Sequence, residues 1–316
     1  MADKKHRLLV LTGPTASGKT ALGVALARRL DGEIVSADSM QVYRGMDIGT
    51  AKVRPEETGG VPHHLIDVAE PREPFSVSRW VELAQAAVED ILARGRQPIL
   101  VGGTNLYLDS LLSGRDFAAP ADGALRAELN AQYERLGGAA FREALRAVDP
   151  ERAGRLAPAD KKRLVRAMEV WLLSGETISA HDARTRALPP RWPSLRVALS
   201  FADRQRLYAR IDARVDQMAA AGLFDEVAAL LAAGLDETST AMQAIGYKEA
   251  AAALRGECSR DEALARIRQE SRRYAKRQLT WLRRDPELHW LLWDEVPDIP
   301  RGTAEVLALW QNQNQT

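Results

Sequence analysis

At 316 residues and 46% hydrophobic content, the chain is long enough for one large domain with an insertion, or for two domains, and it can fill a sizeable core. Its 44 basic and 43 acidic side chains leave a net charge of +1, so a polyanion has to be met by local basic faces rather than by the field of the whole molecule. The single cysteine, Cys258, excludes an internal disulfide and a four-thiolate metal site, and no run approaches the roughly 18 apolar residues of a membrane span. With a charged start at 1–7 in place of a signal peptide, a soluble cytoplasmic protein is expected.

Leu8 to Leu11 is a short apolar run suited to a buried parallel strand, and Gly13-Pro14-Thr15-Ala16-Ser17-Gly18-Lys19-Thr20 follows it, matching G-x-x-x-x-G-K-[ST] at every required position. Thr20 to Leu30 then reads as a helix with Leu22, Leu26 and Leu30 on one face. Strand, glycine loop and helix in this order form a phosphate cradle. The loop N–H groups and the helix N-terminus converge on an anion, Lys19 adds a point charge, and the Thr20 hydroxyl can reach Mg2+. Glu33 to Ala37 reads as a second strand ending at Asp38, which should lie near the loop because ligands sit beyond the carboxyl ends of strands in open α/β sheets. From position alone Asp38 is a site carboxylate, a helix cap or a magnesium-holding group.

Residues 44–52 and 62–67 read as polar loops. The vicinal His63 and His64 point to opposite faces of an extended chain and lack further ligands at a recognisable spacing, so a hydrogen-bonded loop is preferred to a metal site. A helix is expected from Trp80 to Arg94. Pro98 to Val101 gives a third strand, followed by Gly102, Gly103 and Thr104, whose hydroxyl would face the same ligand or cap a helix over Asn105–Leu112.

From 114 to 190, Ala, Arg, Glu and Leu dominate, and Pro120, Pro150, Pro158, Pro189 and Pro190 punctuate: a helical insertion. Within it Leu164, Met168 and Trp171 share a helical face that excludes Lys162, Arg163 and Arg166. Leu195 to Phe201 restores a strand. Arg210 and Arg214, four apart, share a helix face that could neutralise a phosphate beside the loop or make surface ion pairs. Residues 266–284 hold eight Arg or Lys against Glu270 alone, with Tyr274, Gln278 and Trp281 interleaved. Cations with aromatics are the footprint of a phosphodiester backbone and its bases, although the aromatics could instead be the core stripe. A late strand at His289–Trp293, a helix from Thr303 to Trp310 and a frayed tail at 311–316 complete the reading. The fold class is α/β, a doubly wound parallel sheet of the phosphate-loop type, with 1–113 and 191–316 as two parts of a core around the insertion 114–190.

Taken together, Gly13–Thr20, Asp38-Ser39 with Val42–Lys52, Pro62–Leu65, Gly102–Tyr107, Lys162–Arg166, Gln243–Lys248 and Lys276–Arg283 resemble the bacterial tRNA dimethylallyltransferases in order and spacing, over essentially the whole chain. The resemblance implies transfer of a dimethylallyl group from its diphosphate to N6 of adenosine 37 in tRNAs that read codons starting with U, with Mg2+ as cofactor. It also implies Asp38 as general base and Thr104 as a diphosphate contact beside Gly13, Thr15, Ala16, Ser17, Gly18, Lys19 and Thr20. The tRNA contacts it implies are Asp38, Ser39, Met40, Gln41 and Thr104, then Lys162, Arg163, Leu164, Val165 and Arg166. Gln243, Gly246, Tyr247 and Lys248 follow, and Lys276, Arg277, Gln278, Trp281 and Arg283 join Arg273 on the basic helix. A zinc-finger tail like that of eukaryotic relatives is absent from the sequence. A monomer is expected. A nucleotide kinase, a prenyltransferase of free AMP or ATP, and a nucleic-acid-binding nucleotide sensor are the alternatives that the loop alone leaves open.

Overall fold

The computed structural model describes residues 7–114, 116–118 and 122–312. The charged start before Arg7, Pro120 and the end of the polar tail lie outside the described residues. The chain divides into two compact units, one made of residues up to Leu111 together with those from Trp192 onward, the other of Leu112–Arg191.

The first unit is built on six strands, all paired in parallel: β1 (Leu8–Thr12), β2 (Gly32–Ser36), β3 (His63–His64), β4 (Gln97–Val101), β5 (Ser194–Phe201) and β6 (His289–Trp293), in the order β3-β2-β4-β1-β5-β6. Parallel strands need both faces covered, and the near-continuous apolar runs supply this: every residue of β1 and β2 is buried. The connecting helices before the insertion are α1 (Lys19–Leu30), α2 (Pro55–Thr58), α3 (Val77–Ala93) and α4 (Asn105–Leu112). Alternate strand residues Leu9, Leu11, Ile99 and Val101 share a core with Leu22 and Leu26 of α1. Trp80 of α3 donates through Nε1 to Ser36 O (3.1 Å) and stacks on Tyr107 of α4 at 4.8 Å between ring centroids.

The second unit is helical: α5 (Gly123–Leu136), α6 (Gly138–Arg146), α7 (Pro150–Arg155), α8 (Lys161–Ser174) and α9 (Ile178–Arg186). It has its own core of Leu129, Phe141, Leu145, Leu156, Leu164 and Val165. The fully buried carboxylate of Glu169 is held by Arg126 (2.6 Å) and Arg166 (2.7 Å), the pairing that a charge taken out of water requires. Both guanidinium groups hold that carboxyl below the usual range against the opposing effect of burial.

After the insertion the first unit resumes with β5, then α10 (Arg204–Ala220), α11 (Leu223–Ala232), α12 (Tyr247–Leu254) and α13 (Arg260–Leu282), and ends with β6 and α14 (Ile299–Asn312). Val306 and Trp310 of α14 enter the same core as α1. One sequence expectation needs correction here. The 62–67 stretch is not wholly a loop, because His63 and His64 pair with Ile34 and Val35 as a two-residue edge strand.

Candidate active site

The loop 13–20 leaves the end of β1 and is fixed by three side chains from outside it and by its own Lys19. Trp293 Nε1 donates to Ser17 O (2.8 Å), Arg210 Nε to Ala16 O (3.1 Å) and Lys19 Nζ to Pro14 O (2.7 Å). The Gln278 side chain of α13 accepts from Thr15 N (3.2 Å) and donates to Gly103 O (2.8 Å), so one amide joins the β1 and β4 loops. Glycine is required at 13, where φ is +139° and a Cβ would lie 2.3 Å from Leu199 O.

Asp38 stands beyond the end of β2. Its Oδ1 accepts from Met40 N (2.9 Å) and Gln41 N (3.3 Å), so the carboxylate does cap the turn that follows it. Thr104 Oγ1 accepts from Ser39 N (3.0 Å), and Thr104 N donates to Ala37 O (3.1 Å), which ties the Asp38 turn to the β4 loop.

A cavity of about 450 Å³ opens between these elements. Thr15, Lys19, Thr20 and Arg214 line it on one side, Asp38, Ser39, Met40 and Gln41 on another, and Ile211, Val215, Met218 and Ile267 give it an apolar wall. Lys19 is half-buried, not the exposed loop cation its position in the sequence suggests. Burial and the neighbouring Arg214 lower its pKa to about 7, with Asp38 opposing. Burial likewise lowers Arg214, whose Nη2 donates to Thr50 O (3.3 Å) and whose Nε is buried without a partner. Two cations are thus held together in a cavity at some electrostatic cost. Tyr274 of α13 lines the same cavity, its phenol pushed up to about 12 by burial and by Asp38, so it remains an O–H donor. Sequence reading noted Tyr274 only as interleaved among cations, although Ile267, Ser271, Tyr274 and Gln278 form one helical stripe along the cavity.

The two histidines do face apart. His63 lines the cavity with Nδ1 against Val61 O (2.8 Å), and burial lowers its pKa, whereas His64 Nε2 meets Glu33 (2.7 Å). Among the described residues no cluster of three or more His, Cys, Asp or Glu could hold a metal ion.

On α13, Arg273, Lys276, Arg277, Trp281 and Arg283 are exposed, while Ala263, Ile267, Ala275, Leu279 and Leu282 form the buried face. The core stripe is therefore aliphatic apart from Gln278. Trp281 donates through Nε1 to Asp109 (2.7 Å), Arg273 pairs with Glu270 (2.6 Å), and Arg272 and Arg268 are committed to Asp212 and Asp216 of α10. Several residues grouped as RNA contacts have side chains that cannot reach a partner. Gln278 is 5% exposed and spent on the loops, and Leu164 and Val165 are packed in the helical core. Tyr247 is wholly buried, with its hydroxyl on Glu226 (2.6 Å). Lys162, Arg163, Gln243 and Lys248 are exposed; Gly246 is buried at the start of α12. Arg210 braces the loop through Ala16, and Arg214 lines the cavity.

The family model described as IPP transferase matches residues 41–285, more than half of the chain, and one described as isopentenyl transferase matches residues 6–70. This chain belongs to the IPP transferase family. It is 50% identical to a tRNA dimethylallyltransferase of Symbiobacterium thermophilum, across 96% of this chain and 95% of that one. Among solved structures, the full-length tRNA isopentenylpyrophosphate transferase of Bacillus halodurans is 39% identical with a TM-score of 0.73, over 98% of this chain and 99% of that one. A eukaryotic dimethylallyltransferase, captured in crystallographic snapshots acting on tRNA, is 27% identical with a TM-score of 0.81, over 96% of this chain and 78% of that one. The resemblance drawn from the motifs is borne out, and with it the α/β fold class and the assignment to a transferase. For an IPP transferase the cavity has a fitting division, with cations at the phosphate loop, a carboxylate across from them and an apolar wall alongside. No helix among the described residues is long and apolar enough to cross a membrane.

Proposed function

We propose that this IPP transferase moves the dimethylallyl group of dimethylallyl diphosphate onto N6 of adenosine 37 in tRNAs reading codons that start with U, acting as a cytoplasmic monomer. The observation that carries the reading is the placement of Lys19 and Arg214 together in one cavity with Asp38. Desolvation lowers the pKa of both half-buried cations and Arg214 lowers that of Lys19 further, a cost that an anion with several charges relieves, and a diphosphate is one. The apolar wall suits a five-carbon chain.

The amino group of adenine is a poor nucleophile because its lone pair is delocalised into the ring. As N6 bonds to the allylic carbon, the carbon–oxygen bond to diphosphate breaks, and the N6 proton passes to a base. Asp38 is that base. Its Oδ1 is occupied by the amides of Met40 and Gln41, so the proton is taken at Oδ2. Charge developing on the leaving diphosphate meets the loop N–H groups, Lys19 and Arg214. With no acidic cluster among the described residues, Mg2+ would be held by the Thr20 hydroxyl at the cavity, by diphosphate oxygens and by water, the arrangement this ion favours over an all-protein cage. When bound it supplies further neutralisation of the leaving group. The adenine has to leave its stack to enter the cavity, and exposed cations of α13 and α8 are the phosphate contacts.

The direct test is mass analysis of an unmodified anticodon stem-loop after incubation with protein, Mg2+ and dimethylallyl diphosphate. One dimethylallyl group on the adenosine beside the anticodon is expected. Unchanged RNA, or transfer only to free AMP, overturns the reading.

A further inference from the structure

We infer that Glu226 and Tyr247 form a clamp that positions the 47–51 loop, and through it Arg214 and Gln41, for donor binding; the inference rests on reading the cavity as the donor site. Glu226 lies in the first turn of α11, outside every motif that the sequence singles out. Its Oε2 accepts from Asp47 N (2.9 Å) and Ile48 N (2.7 Å), and its Oε1 from Gly49 N (3.1 Å) and the Tyr247 hydroxyl (2.6 Å). Three consecutive backbone N–H groups converging on one carboxylate make an anion nest filled by the chain's own side chain. The loop cannot drift without breaking several charge-assisted hydrogen bonds at once.

The next two carbonyls of the clamped loop face the site. Thr50 O accepts from Arg214 Nη2 (3.3 Å) and from Gln41 Nε2 (3.4 Å), and Ala51 O accepts from Gln41 Nε2 (3.3 Å). Arg214 belongs to the cationic pair, and Gln41 follows Asp38 in the same turn. Gly49, Thr50 and Ala51 themselves line the cavity. The fit is close: a Cβ on Gly49 would come within 2.4 Å of the Tyr247 ring. Burial, and then Glu226, raise the Tyr247 pKa, so its hydroxyl stays a donor to the carboxylate. Tyr247 is thus a positioning residue two steps from the chemistry, acting from beneath the loop rather than as an aromatic platform for RNA.

Tyr247→Phe keeps the buried ring and removes only the hydroxyl. For this variant the donor KM, and the Kd for a non-hydrolysable donor analogue measured by calorimetry, should rise about tenfold, the order of one lost charge-assisted hydrogen bond. At saturating donor kcat should stay close to wild type, and so should the Kd for an anticodon stem-loop. Glu226→Gln should do more, because its amide presents N–H to backbone N–H. In the Glu226→Gln background Tyr247→Phe should add little, since its partner is already lost. A role confined to packing would lower the unfolding temperature and leave donor affinity alone, and a direct RNA contact would weaken stem-loop binding and leave the donor KM unchanged. Either result overturns the clamp, as do variants that bind the analogue as wild type does. A wild-type protein that failed to bind the analogue would instead overturn the donor-site reading beneath it.

Discussion

Lys19 carries two demands that conflict. It has to be charged to hold a diphosphate, yet its surroundings lower its pKa from 10.5 to about 7. The unfolded chain therefore binds more protons than the folded one between about pH 7 and 10.5, and stability rises with pH across that window. Lys19→Met should remove this dependence and raise the unfolding temperature at neutral pH by about 2 °C or more, while donor binding is lost. Thermal melts at several pH values check this; equal slopes for the two proteins would refute it. In the wild type, an entering diphosphate favours the protonated amine. Donor kcat/KM should then fall as pH rises through about 7, and calorimetry at pH 8 in buffers of different ionisation enthalpy should show proton uptake that Lys19→Met lacks. Asp38→Asn should leave stem-loop binding within a few-fold and slow transfer by about two to four orders of magnitude, the usual range for a lost general base. Because Asp38 also caps its turn, a variant that lost binding and kept its rate would assign it to structure alone.

At the scale of elements, α13 shows what a sequence discloses and what it conceals. Its cations were legible because helical spacing separates them from the apolar stripe, and Arg273, Lys276, Arg277 and Arg283 are indeed exposed, whereas Arg268 and Arg272 are half-buried against α10. Gln278 was not, because nothing local marks an amide that bridges to Thr15, 263 positions away. The hold of Glu226 on the 47–49 backbone was invisible for the same reason, with partners 177 to 179 positions distant. The phosphate loop lay at the other extreme, since strand, glycines, lysine and helix are adjacent and their geometry is local. β3 was missed because two residues are too few for periodicity to show. If the exposed face of α13 grips phosphates, Lys276→Ala with Arg283→Ala should weaken stem-loop binding. The slope of log Kd against log salt should flatten by about 0.7 to 0.9 per lost contact, without moving donor affinity. Filter binding at several salt concentrations decides it, and parallel slopes would reduce these residues to a solvated face.

For the whole molecule, the short, near-continuous apolar runs announced a parallel sheet, but strand order depends on pairings between segments as remote as β1 and β5, which no window of sequence contains. The helical unit has its own buried core, and its ends meet: Arg191 N donates to Leu112 O at 3.1 Å. That hydrogen bond makes the insertion removable, because joining Leu112 to Arg191 through a few Gly and Ser residues bridges a gap the chain already closes. The shortened protein should unfold cooperatively and bind the donor analogue within about threefold of wild type, since the loop, Arg214, the Glu226 clamp and α13 all belong to the sheet unit. Its affinity for an anticodon stem-loop should fall about tenfold or more if Lys162, Arg163 and their neighbours engage the RNA together with α13, as linked binding faces do. Undiminished RNA affinity would assign recognition to α13 alone. Loss of cooperative unfolding would show instead that the sheet unit, despite its own core, depends on the helical unit to fold.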